Sequence, residues 1–178
     1  MDKTALELKK YPIGKFERPE TIHNELFQKW LASFSSLPER LEKVLENITA
    51  DRLLLQYRPD SWTVQQIVHH IADSHVNGYI RLKWALTEDN PTIKAYHEKA
   101  WSGLADVREV DVKVSVELLK NLHHRWVTLV QSLNTAELKR TFYHPDNKVH
   151  VSVAEQTGLY AWHGEHHLAH IETALREG

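Results

Sequence analysis

Histidines spaced four residues apart are the feature of this sequence that most clearly suggests a chemical function. The chain has 13 histidines among 178 residues and no cysteine, and imidazole is both a common metal ligand and a proton shuttle near neutral pH. His163 and His167 lie within the segment WHGEHHLAH. On a helix this spacing puts both rings on one face, where they can bind one ion, as in the HExxH arrangement. A glycine follows the first histidine, so the pattern supplies no built-in general base.

A third ligand is predicted in an earlier segment that contains three histidines. On a helical wheel, Ile67 and Ile71 mark the side expected to be buried, and of His69, His70 and His75 only His70 lies between them. We therefore expect the other two to point away from the core. Three neutral imidazoles satisfy zinc or nickel and leave a coordination position open. The spacing alone leaves open that these are ordinary core histidines. We predict that each chain binds one divalent ion, zinc in preference to nickel, through the ligands His70, His163 and His167.

Four helical segments are predicted to position these residues. The first has apolar residues at alternating spacings of three and four, with Pro38 inside it marking either a kink or the start of a second helix. Capping boxes at Thr63 and Ser152 open two others. The segments are 21–48, 63–86, 115–133 and 152–176. They predict an all-α four-helix bundle in a single domain over 1–178, with an extended N-terminal arm at about 1–20.

The positions of the histidines along their helices predict how the helices run. His70 lies in the first third of its segment, whereas His163 and His167 lie in the middle of theirs. In parallel helices the ligands would miss each other by roughly 6–12 Å, at 1.5 Å per residue. In antiparallel helices the three histidines lie at nearly the same height along the bundle. The predicted order is therefore up-down-down-up, and the loop 87–112 is long enough for the crossover that this order needs.

The composition excludes several classes of protein. The formal net charge of −2 gives neither a nucleic-acid footprint nor a basic membrane patch. No apolar run reaches the length of a membrane span, and the first residues show no signal-peptide core. We therefore expect a cytosolic protein that binds no nucleic acid and no membrane and acts on a small molecule.

Further residues near these histidines are candidates for substrate binding. Asn77 and Arg81 lie roughly two and three turns from His70 on the same predicted face. They can orient a polar or anionic substrate, or Arg81 can form a salt bridge within the helix packing. His144 either reaches the mouth of the site or belongs only to a turn.

Other polar residues are candidates for catalysis or for supporting the ligands. His166 and His170 flank the predicted ligand pair and can act as proton shuttles, or they lie on the surface or on a dimer face. Metal-bound histidines usually donate their other nitrogen to a carboxylate or carbonyl. Asp73, Glu165 and Glu172 are the candidate carboxylates, and Asp73 is also a candidate for catalysis.

Several segments together resemble one known family. The stretch 62–75, from Trp62 to His75, is similar to the DinB/YfiT-like metalloprotein superfamily, and specifically to its YfiT branch. So are Tyr-Pro-Ile-Gly at 11–14, Tyr-Ile-Arg at 79–81 and Phe-Tyr-His-Pro-Asp at 142–146. The resemblance covers nearly the whole chain.

The resemblance implies an up-down-down-up bundle, one metal ion bound by His70, His163 and His167, and a homodimer. The aromatic residues Tyr96 and Trp101 in the crossover loop also favour association. Proteins of this type are described as candidate metal-dependent hydrolases. Relatives in the wider superfamily are thiol S-transferases that use bacillithiol, mycothiol or glutathione. Three functions therefore remain open: a hydrolase, a thiol S-transferase acting with a low-molecular-weight thiol, and a non-catalytic metal-binding protein.

Overall fold

Four long helices form the body of the protein. The computed structural model describes residues 3–178. Within this range, the elements are α1 Lys3–Lys10, α2 Asn24–Val44, α3 Ala50–Leu53, α4 Val64–Thr87, α5 Glu98–Trp101, α6 Ala105–Glu109, α7 Val112–Gln131, α8 Thr135–Leu138, β1 Thr141–His144, β2 Val149–Ser152 and α9 Val153–Glu177. The bundle consists of α2, α4, α7 and α9, and β1 pairs with β2 in an antiparallel hairpin. The predicted all-α four-helix bundle is confirmed.

Contacts between the helices establish their directions. The Gln156 side chain donates to the Gly78 carbonyl, while His163 lies beside His70, so α4 and α9 are antiparallel. The α2 helix packs against both α7 and α9, and α4 also packs against α7. His69 is hydrogen-bonded to Ser115 of α7, and Tyr79 further along α4 contacts Trp126 further along α7. Hence α4 and α7 are parallel, and the connection between them must cross the length of the bundle.

The crossover carries the short helices α5 and α6 and returns the chain to the start of α7. Leu37 of α2 packs against Gly164 and Trp30 against Gly158 of α9, so these two helices run in the same direction. The order is up-down-down-up, as the levels of the histidines predicted. None of the helices in the described range is long and apolar enough to cross a membrane.

Apolar side chains fill the bundle in two clusters, one on either side of a layer of histidines. The first cluster includes Phe27, Leu82 and Trp126, and the second includes Ile67 and Leu119. These residues are nearly all fully buried, and burial of each such side chain stabilises the fold by about 1.5–3 kcal/mol. The histidines are thus held between two rigid apolar regions.

Pro38 lies inside α2, which continues through it from Asn24 to Val44. The alternative that a second helix starts after Ser36 is therefore wrong. A proline has no N–H for the carbonyl four residues earlier. In α2 that carbonyl belongs to Phe34, and it accepts a hydrogen bond from His123 Nδ1 at 2.8 Å. The proline is thus accommodated in the interior of the bundle.

The N-terminal arm differs in part from the sequence prediction. Residues 3–10 form the helix α1 rather than an extended chain, because their side chains are mostly good helix formers and Lys10 pairs with Glu7 one turn earlier. Pro12 follows the helix, and residues 11–23 contain no regular element. The Trp162 indole donates to the Gly14 carbonyl at 3.2 Å. The arm therefore lies against α9. Residues 1 and 2 of the predicted arm lie outside the described range.

Candidate metal centre

Three histidines from two antiparallel helices converge in the middle of the bundle. The candidate ligand atoms of His70, His163 and His167 all lie within 4.8 Å of one another. Nε2 of His70 is 3.2 Å from Nε2 of His163. The His167 ring centroid lies 4.8 Å from that of His70 and 4.5 Å from that of His163. The structure thus brings together the three residues that the sequence singled out.

The local sequence explains how each ring reaches this point. The capping box at Thr63 starts α4 close to His70, and the Trp62 ring lies 4.5 Å from the His70 ring. In α9, Gly164 follows the first ligand, and a side chain there would overlap Leu37 of α2. The residue that breaks the HExxH pattern therefore permits close packing of α2 against α9.

The three imidazoles are neutral at neutral pH. Burial lowers the pKa of His70 to about 4. Burial is also the main cause that lowers the pKa of His163 and of His167 well below the usual range, and the neighbouring histidines lower both further. A neutral imidazole has a lone pair to offer a metal ion, whereas a protonated one does not.

These atoms fit one divalent ion. Two nitrogens bound to zinc at about 2.1 Å in tetrahedral geometry stand about 3.4 Å apart, and the Nε2 atoms of His70 and His163 are separated by a similar distance, 3.2 Å. Three neutral nitrogen ligands without a thiolate suit zinc or nickel. They leave at least one coordination position for water or a substrate.

A second group of histidines overlaps the first. His166, His167 and His170 also place candidate ligand atoms within 4.8 Å of one another. His170 Nε2, however, donates to the Lys10 carbonyl at 3.2 Å, and its ring stacks on Tyr57. The Nδ1 atoms of all three histidines are buried without a hydrogen-bond partner among the described residues. His166 and His170 face the N-terminal arm rather than the cavity, so the first group is the better candidate site for an ion.

A cavity of about 430 Å³ opens beside His163. Arg81 and His144 both line it, together with Tyr96. The Arg81 side chain is 9% exposed, and its guanidinium lies 6.0 Å from the centre of the Tyr96 ring. Asn77 does not line the cavity, and its amide donates to the Asp73 carbonyl one turn earlier. A larger groove of about 950 Å³, near Leu45 and Val112, has no histidine in its lining.

The carboxylates considered as partners of the ligands lie elsewhere. Glu165 pairs with Arg40 and accepts a hydrogen bond from Ser33, and Glu172 is exposed. Asp73 makes no side-chain hydrogen bond to the three ligand histidines within the described range. Desolvation, and then the nearby Asp106, raise the pKa of Asp73 to about 6.

His75, which contacts His163, was not predicted to face the candidate site. His75 was expected to point away from the core, but it is 0% exposed, and His69 is 6% exposed. His75 Nε2 lies 3.2 Å from Nδ1 of His163, and His75 Nδ1 lies 2.8 Å from Nε2 of His123. A signal was present, because His75 and His123 are polar residues among apolar ones in two core helices.

Comparison with known proteins shows the family of this chain. Residues 33–171 match the DinB superfamily. The chain belongs to the DinB superfamily. YfiT of Bacillus subtilis is 45% identical over 93% of this chain and 93% of its own length. A relative in Halalkalibacterium halodurans is 44% identical over 93% of this chain and 96% of its own. Both relatives carry names that propose a metal-dependent hydrolase.

The solved structure of Bacillus subtilis YfiT is similar throughout. Its TM-score is 0.93 at 44% identity, over 96% of this chain and 97% of that one. That protein is described as having an unusual four-helix bundle topology. The resemblance to the YfiT branch, first drawn from short segments, is confirmed.

Proposed function

We propose that this protein is a metal-dependent hydrolase in which His70, His163 and His167 hold one divalent ion, zinc in preference to nickel. The observation that supports the proposal is the convergence of three neutral imidazoles beside a cavity. An ion held there would supply a Lewis acid and lower the pKa of a bound water towards neutrality. The names of the relatives support the same reaction class.

The cavity suggests the kind of substrate. Arg81 is buried, and none of the ion pairs among the described residues involves it, although the Glu98 carboxyl group lines the same cavity. Its guanidinium donates to the Lys94 carbonyl at 3.4 Å and lines the cavity together with Tyr96. We infer that the substrate is a small polar molecule whose anionic group binds Arg81 while its scissile bond lies near His163.

A thiol S-transferase is the second candidate. His163 is followed by Gly164 where an HExxH enzyme has its glutamate, so the helix that carries the ligand pair supplies no adjacent base. A thiol cofactor with anionic groups also suits Arg81, and the ion would hold its sulfur as a thiolate. A non-catalytic metal-binding protein would close the coordination shell with a fourth side chain, and the cavity beside His163 argues against that alternative.

The test compares both reactions on one preparation. Zinc-loaded and nickel-loaded protein is assayed against a panel of esters and amides, and in parallel for conjugation of monochlorobimane to bacillithiol, mycothiol and glutathione. We expect His70→Ala to lose zinc binding and turnover together. His124→Ala, which removes an exposed histidine, should keep both. Turnover retained in His70→Ala would reject the proposed site, and conjugation without hydrolysis would favour the transferase.

We also propose a cytosolic location, for which the sequence provides the only support. The homodimer is a proposal of the same kind, and its test is given below.

A further inference from the structure

Two buried histidines connect the metal ligand His163 to the backbone of α2. His123 Nδ1 lies 2.8 Å from the Phe34 carbonyl oxygen. His75 Nδ1 lies 2.8 Å from His123 Nε2, and His75 Nε2 lies 3.2 Å from His163 Nδ1. His75 and His123 are 0% and 2% exposed. Water therefore does not compete for the two bonds that His123 makes, and hydrogen bonds are stronger in such a low-dielectric interior.

The carbonyl at the end of this chain sets the direction of every bond in it. A carbonyl oxygen can only accept, so His123 Nδ1 carries a proton and donates to Phe34. In a neutral imidazole the other nitrogen is then bare, so His123 Nε2 accepts from His75 Nδ1. By the same rule, His75 Nε2 accepts from His163 Nδ1. The lone pair of His163 is thereby left on Nε2, the atom that faces His70.

The surroundings keep these rings neutral and fixed. Burial lowers the pKa of His123 to about 4, the Phe34 carbonyl opposing it, and burial lowers the pKa of His75 well below the usual range. The planes of His75 and His123 differ by only 7°. The Phe34 ring stacks on His123 at 3.9 Å between centroids and lies 5.6 Å from His75. Phe34 thus supplies both the terminal acceptor and the cover over the pair.

Pro38 explains why this acceptor is available. In an α-helix the N–H of residue 38 would donate to the carbonyl of residue 34. Pro38 has no N–H, so the Phe34 carbonyl lacks its helical donor and is bonded to His123 instead.

We propose that His75 and His123 are positioning residues that fix His163 as the Nδ1–H tautomer, with its Nε2 lone pair directed at the ion, even before metal binds. The proposal rests on the proposed function, since it takes His163 as a metal ligand. Metal-bound histidines usually donate to a carboxylate, a carbonyl or water. Here two imidazoles relay that bond to a carbonyl.

The first test needs no metal. Long-range ¹H–¹⁵N spectra of the metal-free full chain report which nitrogen of each imidazole carries the proton, and single variants assign the signals. We expect His163, His75 and His123 all to be Nδ1–H tautomers. A proton on Nε2 of His163 or of His75 in the metal-free protein would overturn the proposal.

The second test measures zinc affinity by competition with a chelator. We expect His75→Phe and His123→Phe to bind zinc about 10–100-fold more weakly, and the absorption spectrum of the cobalt-substituted protein to change. His123→Gln, whose amide oxygen can still accept from His75, should recover most of the affinity. The matched control is His69→Phe. His69 is a buried histidine of the same helix that is hydrogen-bonded to Ser115 and the Val110 carbonyl, and its loss should leave the affinity unchanged.

The outcomes separate this proposal from the proposed function. Circular dichroism first establishes that each variant is folded, and the His123 variants carry the test if His75→Phe does not fold. Zinc affinity within twofold of the wild type in the phenylalanine variants, or an equal loss in His69→Phe, would overturn the positioning role alone. A wild-type protein that binds no zinc would overturn the metal site and the positioning role together.

Discussion

Gly78 of α4 faces the ring of Tyr160 of α9, and a Cβ atom at position 78 would lie only 2.6 Å from the Tyr160 hydroxyl oxygen. The ring cannot easily move away, because Tyr160 is 5% exposed and packs against Trp126 and His75. Its hydroxyl donates to the Ser74 carbonyl. This close approach holds α4 against α9 one turn from the histidine layer.

The substitution Gly78→Ala should therefore destabilise the protein. Inserting a methyl group into a well-packed core costs about 1–3 kcal/mol, and we expect a loss of that size in the free energy of unfolding measured with urea. Gly103→Ala is the control, because a Cβ there would meet only the Ala100 carbonyl oxygen at an ordinary 3.5 Å. If both variants were as stable as the wild type, the packing described for Tyr160 would be wrong.

Removal of metal should abolish activity without unfolding the bundle. Two apolar clusters stabilise the helices without help from an ion, so the metal adds only its binding free energy. That contribution is about 2.7 kcal/mol when free metal is at 100 times its dissociation constant. Circular dichroism melting of the chelated and zinc-loaded protein measures it. Unfolding on chelation at room temperature would show that the site is structural.

The metal-free protein should become less stable as the pH falls below about 6.5. Burial lowers the pKa values of four histidines from 6.5 to about 4 in the folded state. Between these values the unfolded chain binds more protons than the folded protein, so the free energy of unfolding decreases as pH falls. The loss approaches about 1.4 kcal/mol per pH unit for each proton taken up. The four residues are His70, His123, His166 and His170.

Asp73 acts in the opposite direction. Its pKa of about 6 in the folded state exceeds the ordinary 3.8, so the folded protein holds that proton more tightly, and this group favours folding as pH falls. Burial also raises the pKa of Glu98, but two carboxyl groups do not offset four histidines. Urea unfolding of the metal-free protein, with chelator present, at several pH values between about 4 and 7 measures how steeply the free energy of unfolding changes with pH. His166→Gln should reduce this slope by about 1.4 kcal/mol per pH unit, the contribution of one proton. A flat profile would contradict the neutral state of the buried histidines.

The homodimer remains a prediction that rests mainly on the family resemblance. Tyr96 and Trp101, which suggested an association surface, pack against each other at 4.6 Å between ring centroids, and Tyr96 also lines the cavity. Their aromatic surface is therefore partly used within the chain. We expect sedimentation at micromolar concentration to show a dimer, and a monomer alone would contradict this prediction.

The sequence predicted that His70, His163 and His167 converge because these residues satisfy two independent patterns. His163 and His167 share a face by their spacing, and His70 matches their level only in an antiparallel arrangement. It failed for His69 and His75 because the helical wheel assumed that α4 has one buried side. In the structure α4 packs against α7, α9 and the short α6, and no residue of 64–79 is exposed, so this part of the helix is covered on all sides. A single sequence does not reveal how many neighbours a helix has.

The helix α1 was missed for a related reason. Residues 3–10 favour a helix locally, whereas the prolines at 12 and 19 favour an extended chain, and the whole arm was predicted to be extended. What holds the arm in place is tertiary contact with α9, through Trp162 and His170. Such contacts join positions far apart in the chain, and no local periodicity reports them.

The separation of the ligands in sequence also bears on how the protein matures in the cell. His163 follows His70 by 93 residues, so a ribosome has already completed α4 and α7 long before it adds the other two ligands. A nascent chain that ends before α9 offers the ion one histidine of the three. If the proposed site holds the ion, metal loading follows the synthesis and docking of α9, and a chain stalled earlier lacks two of the three ligands.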